Sequence, residues 1–113
     1  MHAKITLKLE DNENVSFFGP GVAELFQLIE TTGSVRHAAE TMGLSYSKAW
    51  KMIRGTEKAT GEAVVDRTQG GKGGGKADLT SRGKKLLEDF LSMEKELNSI
   101  LEAMEGKYLA AYR

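Results

Sequence analysis

Ser34-Val35-Arg36-His37-Ala38-Ala39-Glu40-Thr41-Met42-Gly43-Leu44-Ser45-Tyr46-Ser47-Lys48-Ala49-Trp50-Lys51 decides the fold. Two apolar-periodic segments, each opened by a serine, meet at Gly43-Leu44-Ser45. Ser34 suits the N-cap of a helix running to about Met42, whose apolar side is Val35, Ala38, Ala39 and Met42. The adjacent alanines let another helix approach closely. Gly43 suits the left-handed conformation that a sharp inter-helix turn needs. Leu44 plugs the angle, and Ser45 caps a further helix from about Tyr46 to Lys58. On that helix Ala49 and Ile53, four apart, face inward, and Tyr46, Ser47, Lys48, Lys51 and Arg54 cover much of the remaining surface. The pattern is a helix-turn-helix.

Downstream, Ala63 to Arg67 reads as a strand and Ala77-Asp78-Leu79 as its return. Between them lies the lysine-punctuated run Gly70-Gly71-Lys72-Gly73-Gly74-Gly75-Lys76, a flexible basic hairpin. Helix-turn-helix plus hairpin predicts a mainly α fold with a small β component, the winged helix-turn-helix, which sets one helix in a DNA major groove and a loop beside it.

Upstream, Lys4 to Leu9 alternates polar and apolar as a half-buried strand does, and Asp11-Asn12-Glu13-Asn14 is a turn cluster. Val15 to Phe18 is a plausible return, so residues 4–18 read as a hairpin. Gly19-Pro20-Gly21 ends it, with Pro20 near a helix start. A first helix over roughly 21–31 carries Val22, Leu25, Phe26, Leu28 and Ile29 as its stripe. After the wing, Thr80 caps a long last helix. Leu86, Phe90, Met93, Leu97, Ile100 and Met104 are spaced 4, 3, 4, 3, 4 along it, a heptad seam that Leu87, Leu91 and Leu101 widen. A helix of ~25 residues spans roughly 37 Å, longer than one small core can cover. The expected division is a DNA-binding domain over 1–80 and a dimerisation helix and tail over 81–113. Leu25 of the first helix joins Leu86, Phe90, Met93, Leu97, Ile100, Leu101 and Met104 as the expected dimer interface.

Charge sharpens the reading. The chain is neutral overall, yet residues 36–85 hold 11 Lys/Arg against 5 Asp/Glu, while both flanking segments are net acidic. A basic middle is a local electrostatic footprint for nucleic acid. The absence of cysteine excludes disulfides and thiolate metal sites. His2 and His37 alone make no credible metal site, so no metal and no cofactor are expected. No apolar run approaches the roughly 18 residues of a membrane span, and Met1-His2-Ala3-Lys4 opens no signal peptide. A cytoplasmic protein without a membrane partner is therefore expected.

Small polar residues at a helix N-terminus let the backbone approach base edges, and cations farther along meet phosphate. That chemistry selects Ser34, Arg36, Ser45, Tyr46, Ser47, Lys48, Lys51 and Arg54, with Lys72 and Lys76 on the wing, as the candidate DNA contacts. Trp50 either packs at the helix edge or stands at the DNA surface. Gly70 to Lys76 also matches G-x-x-x-x-G-K, the phosphate loop of nucleotide hydrolases. Ala77 replaces the magnesium-binding Ser or Thr, and no strand ending in a metal-binding aspartate is evident. No nucleophile–base or carboxylate pair has catalytic spacing, so no catalytic residue is expected.

Gly33 to Ala39, Gly43 to Trp50, and the Gly70 to Gly75 run followed by Leu79-Thr80 together resemble the N-terminal DNA-binding domain of the molybdate-responsive regulator ModE. The resemblance covers roughly residues 20–90, with a looser similarity to the LysR-type winged helix through Ala38-Ala39, Gly43-Leu44-Ser45 and Ile53. It implies a bacterial or archaeal homodimeric transcription factor, not an enzyme, that binds double-stranded DNA at an inverted-repeat operator. Family members carry molybdate-binding domains after the last helix; these 113 residues include none. The expectation is thus a regulator acting alone or signalled by a separate effector-sensing protein. The rival reading is a winged-helix protein-interaction module with no specific DNA target.

Overall fold

The computed structural model describes residues 1–67 and 76–112. Two short strands, β1 (Leu9–Glu10) and β2 (Ser16–Phe18), lead into helices α1 (Pro20–Thr32), α2 (Val35–Met42) and α3 (Tyr46–Thr60). Strands β3 (Val65–Arg67) and β4 (Ala77–Leu79) follow, then the long helix α4 (Ser81–Tyr108) and a 3-10 turn over Ala110–Tyr112. This is the winged helix-turn-helix arrangement that the sequence predicts.

The core forms where α1 lies beneath the other elements. Leu25, Phe26 and Ile29 of α1 are fully enclosed by Ala38 and Ala39 of α2, Ala49 and Ile53 of α3, Val64, and Phe90 of α4. Phe18 meets Phe26 edge-on at 5.2 Å and Phe90 at 4.9 Å, tying β2 to α1 and α4. Such aromatic pairs add about 0.5–1.5 kcal/mol beyond the area they bury.

The turn between α2 and α3 is fixed by local chemistry. Gly43 adopts φ 71°, a conformation that a Cβ would strain. Its N–H donates to the Glu40 carbonyl at 3.0 Å and the Leu44 N–H to the Ala39 carbonyl at 2.9 Å, the paired bonds of a Schellman motif. The Ser34 and Ser45 hydroxyls accept from the His37 and Lys48 amides at 3.1 and 3.0 Å, capping α2 and α3. Thr56, the buried polar residue of α3, donates towards the Phe17 carbonyl at 3.1 Å and the Met52 carbonyl at 3.2 Å. That bond anchors α3 to β2.

The wing is antiparallel, with Val65 opposite Leu79, Asp66 opposite Asp78 and Arg67 opposite Ala77. Val65, Ala77 and Leu79 are buried, while both aspartates are exposed. Its root is bolted down on two sides. The Ala77 N–H donates to the Gly33 carbonyl at 2.8 Å, and the Thr80 N–H to the Val64 carbonyl at 2.9 Å. Thr80 caps α4 by accepting from the Gly83 amide at 3.1 Å, and its hydroxyl donates to the Ala63 carbonyl at 2.7 Å. Gly83 packs so tightly that a Cβ there would collide with the Val64 carbonyl oxygen and lie 3.1 Å from its carbon. Arg82 closes the joint through Glu62 at 2.6 and 3.2 Å.

Two expectations are corrected. Residues 4–8 form no strand, and only Leu9–Glu10 pairs with Ser16–Phe18, with a register shift between Leu9 and Glu10. The reason is length: β2 is three residues long and the chain turns at Gly19-Pro20 into α1, so β2 offers no further residues to pair with 4–8 as a strand. Leu25 and Phe90, expected in a dimer interface, are each 0% exposed within a single chain. The first helix and the start of the heptad seam serve the internal core instead.

Beyond Phe90 the seam changes character. Twenty-eight residues carry α4 about 42 Å, and the described residues extend 60 Å along their longest axis. Met93, Ile100 and Met104 are 44%, 58% and 47% exposed, with Leu97 and Leu101 half-buried between them. The N-terminal segment runs alongside, where the Ala3 amide donates to Glu105 Oε1 at 2.6 Å.

Candidate nucleic-acid interface

One surface collects nearly all the described candidates. Helix α3 buries Ala49, Ile53 and Thr56, so its opposite side stands clear of the core. Tyr46, Ser47, Lys48, Lys51 and Arg54 are all exposed on it, and Ser45 caps its N-terminus. Arg36 reaches across from α2 and lies 4.4 Å over the Tyr46 ring. Ser34, half-buried, is occupied as the α2 cap, so its side chain acts first on its own backbone. Lys76 is exposed just before β4. Lys72 lies outside the described residues.

The cations of this surface are not neutralised from within. Among the described residues, Arg36, Lys48, Lys51, Arg54, Arg67 and Lys76 form no ion pair; the carboxylates that do, Glu62 and Asp89, engage Arg82 and Lys85. A groove of about 410 Å³ between α3 and residues 16–22 adds Lys8 to the same patch beside Lys48 and Lys51. Lys8 comes from the net-acidic N-terminal third, so its place here follows from the β1–β2 fold and was not legible in the charge balance.

Trp50 resolves to packing. It is 9% exposed and stands edge-on to Tyr46 at 6.4 Å. The Arg54 and Arg67 guanidiniums lie 5.7 and 5.0 Å from the centre of its ring. Arg67 was missed by sequence reasoning. The signal was there: Arg67 follows buried Val65 by two residues and so shares its face of the strand. It becomes informative only once that face is known to meet α3.

The nucleotide-loop match fails on geometry. Lys76 is followed by strand β4, whereas the phosphate loop needs a helix N-terminus directly behind its lysine. Among the described residues no group of three or more His, Cys, Asp or Glu could hold a metal ion, and His37 is exposed on α2. No described helix is long and apolar enough to cross a membrane.

Residues 22–84 match the family described as bacterial regulatory helix-turn-helix protein, lysR family. The chain belongs to that family. Its members are regulators, not enzymes. The chain is 38% identical over 88 residues to the transcriptional regulator ModE of Yersinia pestis, covering 78% of this chain and 33% of that protein. It is 35% identical over 88 residues to the DNA-binding transcriptional dual regulator ModE of Escherichia coli K12, with the same coverage. The chain thus spans about a third of the length of these relatives. Among solved structures, ArgP from Mycobacterium tuberculosis shares the fold with a TM-score of 0.56 at 24% identity, over 79% of this chain and 31% of that one. The ModE resemblance in the helix-turn-helix and wing motifs is therefore matched by similarity across most of the chain.

Proposed function

We propose that this chain is a sequence-specific DNA-binding transcriptional regulator that grips an inverted-repeat operator as a homodimer. The carrying observation is the exposed face of α3, where Lys48, Lys51 and Arg54 stand without carboxylate partners among the described residues, behind a capped N-terminal turn of small polar residues. Helix N-terminal amides and small side chains suit close approach to a groove, and the cations suit flanking phosphates. Arg36 supports the approach from α2, Lys76 adds a cation just before β4, and Lys72, four residues earlier in the sequence, is the further wing contact of this reading. Residues 1–80 act as the DNA-binding unit and 81–113 as the dimerisation helix and tail.

The homodimer rests on the distal half of α4. Met93, Leu97, Ile100, Leu101 and Met104 continue the heptad seam past the point where the internal core ends. A second copy of α4 supplies a matching seam, and two-fold pairing sets the two α3 helices on successive major-groove faces, about 34 Å or a multiple apart. The protein acts in the cytoplasm. Selection from a pool of random-sequence duplexes tests this function. The expected winners share an inverted repeat with half-sites one or two helical turns apart. A pool that emerges without a common motif would favour the rival, a winged-helix module whose partners are proteins.

A further inference from the structure

Arg67 lies at the root of the wing beside Trp50 of α3. It shares the inner face of β3 with buried Val65, and its cross-strand partner Ala77 is small. Its guanidinium lies 5.0 Å from the centre of the Trp50 ring. The same ring carries Arg54 at 5.7 Å. One aromatic side chain therefore gathers a cation from α3 and a cation from the root of the wing.

Two features of Trp50 show what this arrangement selects for. Its indole N–H is buried with no hydrogen-bond partner among the described residues. A buried, unsatisfied donor is unfavourable, and phenylalanine would fill much of the volume without it. Tryptophan offers the stronger ring face for a cation, and that face is where the arginines lie. A guanidinium held over a ring face, rather than by a carboxylate, has its N–H donors left for another partner. Those donors form a planar fork that matches the oxygens of a phosphate. No described carboxylate pairs with Arg54 or Arg67, and the acidic neighbours Asp66 and Asp78 occupy the outer face of the wing.

We propose that Arg67 is a phosphate contact to nucleic acid at the root of the wing, and that Trp50 is the positioning residue that holds Arg67 and Arg54 at a fixed spacing. This deepens the DNA-binding reading of α3 and rests on it. Titration of the full chain with a duplex of two dozen base pairs at several salt concentrations tests it, with circular dichroism melting to verify that each variant is folded. Arg67→Gln should weaken binding about tenfold and flatten the plot of log K against log salt by about 0.9 for each protomer bound. Trp50→Phe, which keeps an aromatic ring and removes the orphaned donor, should melt no lower than the parent and bind about threefold more weakly. In a chain already carrying Arg54→Gln and Arg67→Gln, Trp50→Phe should have no further effect, because a positioning residue acts only through what it positions. Unchanged affinity and slope in Arg67→Gln, beside a loss in Lys48→Ala, would overturn this inference and leave the DNA reading intact. A Trp50→Phe loss that persists in full without the two arginines would also overturn it. If the parent chain binds no duplex, both readings fall.

Discussion

Ile100→Glu should dissociate the proposed dimer without unfolding the protomer. Ile100 is 58% exposed on α4, so its side chain contributes little to the internal core. Full burial of a large aliphatic side chain is worth about 1.5–3 kcal/mol. Covering the exposed 58% of Ile100 in an interface is therefore worth about 1–1.7 kcal/mol. A two-fold interface contains the residue twice, which brings the loss to about 2–3.5 kcal/mol. At about 1.4 kcal/mol per decade, the dimer Kd should rise about 30- to 300-fold. A carboxylate in the seam can only add to this, since an unpaired charge resists burial. Sedimentation equilibrium measures the shift directly. The helical circular dichroism spectrum and the melting temperature extrapolated to low concentration should stay close to the parent's. The reasoning is refuted if the unaltered protein is monomeric at several hundred micromolar, or if Ile100→Glu associates as tightly as the parent.

The joints of the fold make further predictions. Gly83→Ala should destabilise by about 1–3 kcal/mol or more, because the added methyl meets the backbone of Val64, which cannot swing aside; urea denaturation should show a lower midpoint at an unchanged slope. Thr56→Val keeps the shape but strands the Phe17 carbonyl, a loss of about 1–3 kcal/mol by the same assay. The Arg82 guanidinium, hydrogen-bonded to Glu62, holds that carboxyl below its ordinary value. A depressed carboxyl stabilises the fold above its unfolded pKa and loses that contribution as pH falls through the folded one. Stability measured from neutral pH down to pH 3 should therefore fall less steeply in Glu62→Gln than in the parent, by a small margin because both groups are exposed.

The sequence was most legible where local chemistry dictates backbone geometry. Ser34, Ser45 and Thr80 each announced a helix start and each caps one. Gly43 announced the turn and adopts the left-handed conformation there. The alternation of Lys4 to Leu9 misled because period-two patterning describes a strand's faces without supplying a partner. The seam from Leu86 to Met104 was legible as a stripe but not as two surfaces. Periodicity cannot reveal that Phe90 is enclosed by Phe18 while Ile100, ten residues on, stands open. Leu25 was misplaced for the same reason: an apolar face is equally suited to its own core or to a second chain. On the candidate interface, exposed cations of one helix were readable from composition. Lys8, Arg67 and the role of Trp50 depend on which elements meet in space.

The central claim is that α3 meets nucleic acid with its exposed cationic face, and salt dependence tests that most directly. Affinity for a duplex containing the selected repeat should be measured between 50 and 300 mM salt, for the parent chain and for Lys48→Ala with Lys51→Ala. If the dimer neutralises on the order of 6–10 phosphates, log K should fall against log salt with a slope of about −5 to −9. The double substitution should weaken binding and flatten that slope by up to about four, two lysines in each of two protomers. A parent slope near zero, or a double variant that binds with unchanged affinity and slope, would contradict the account.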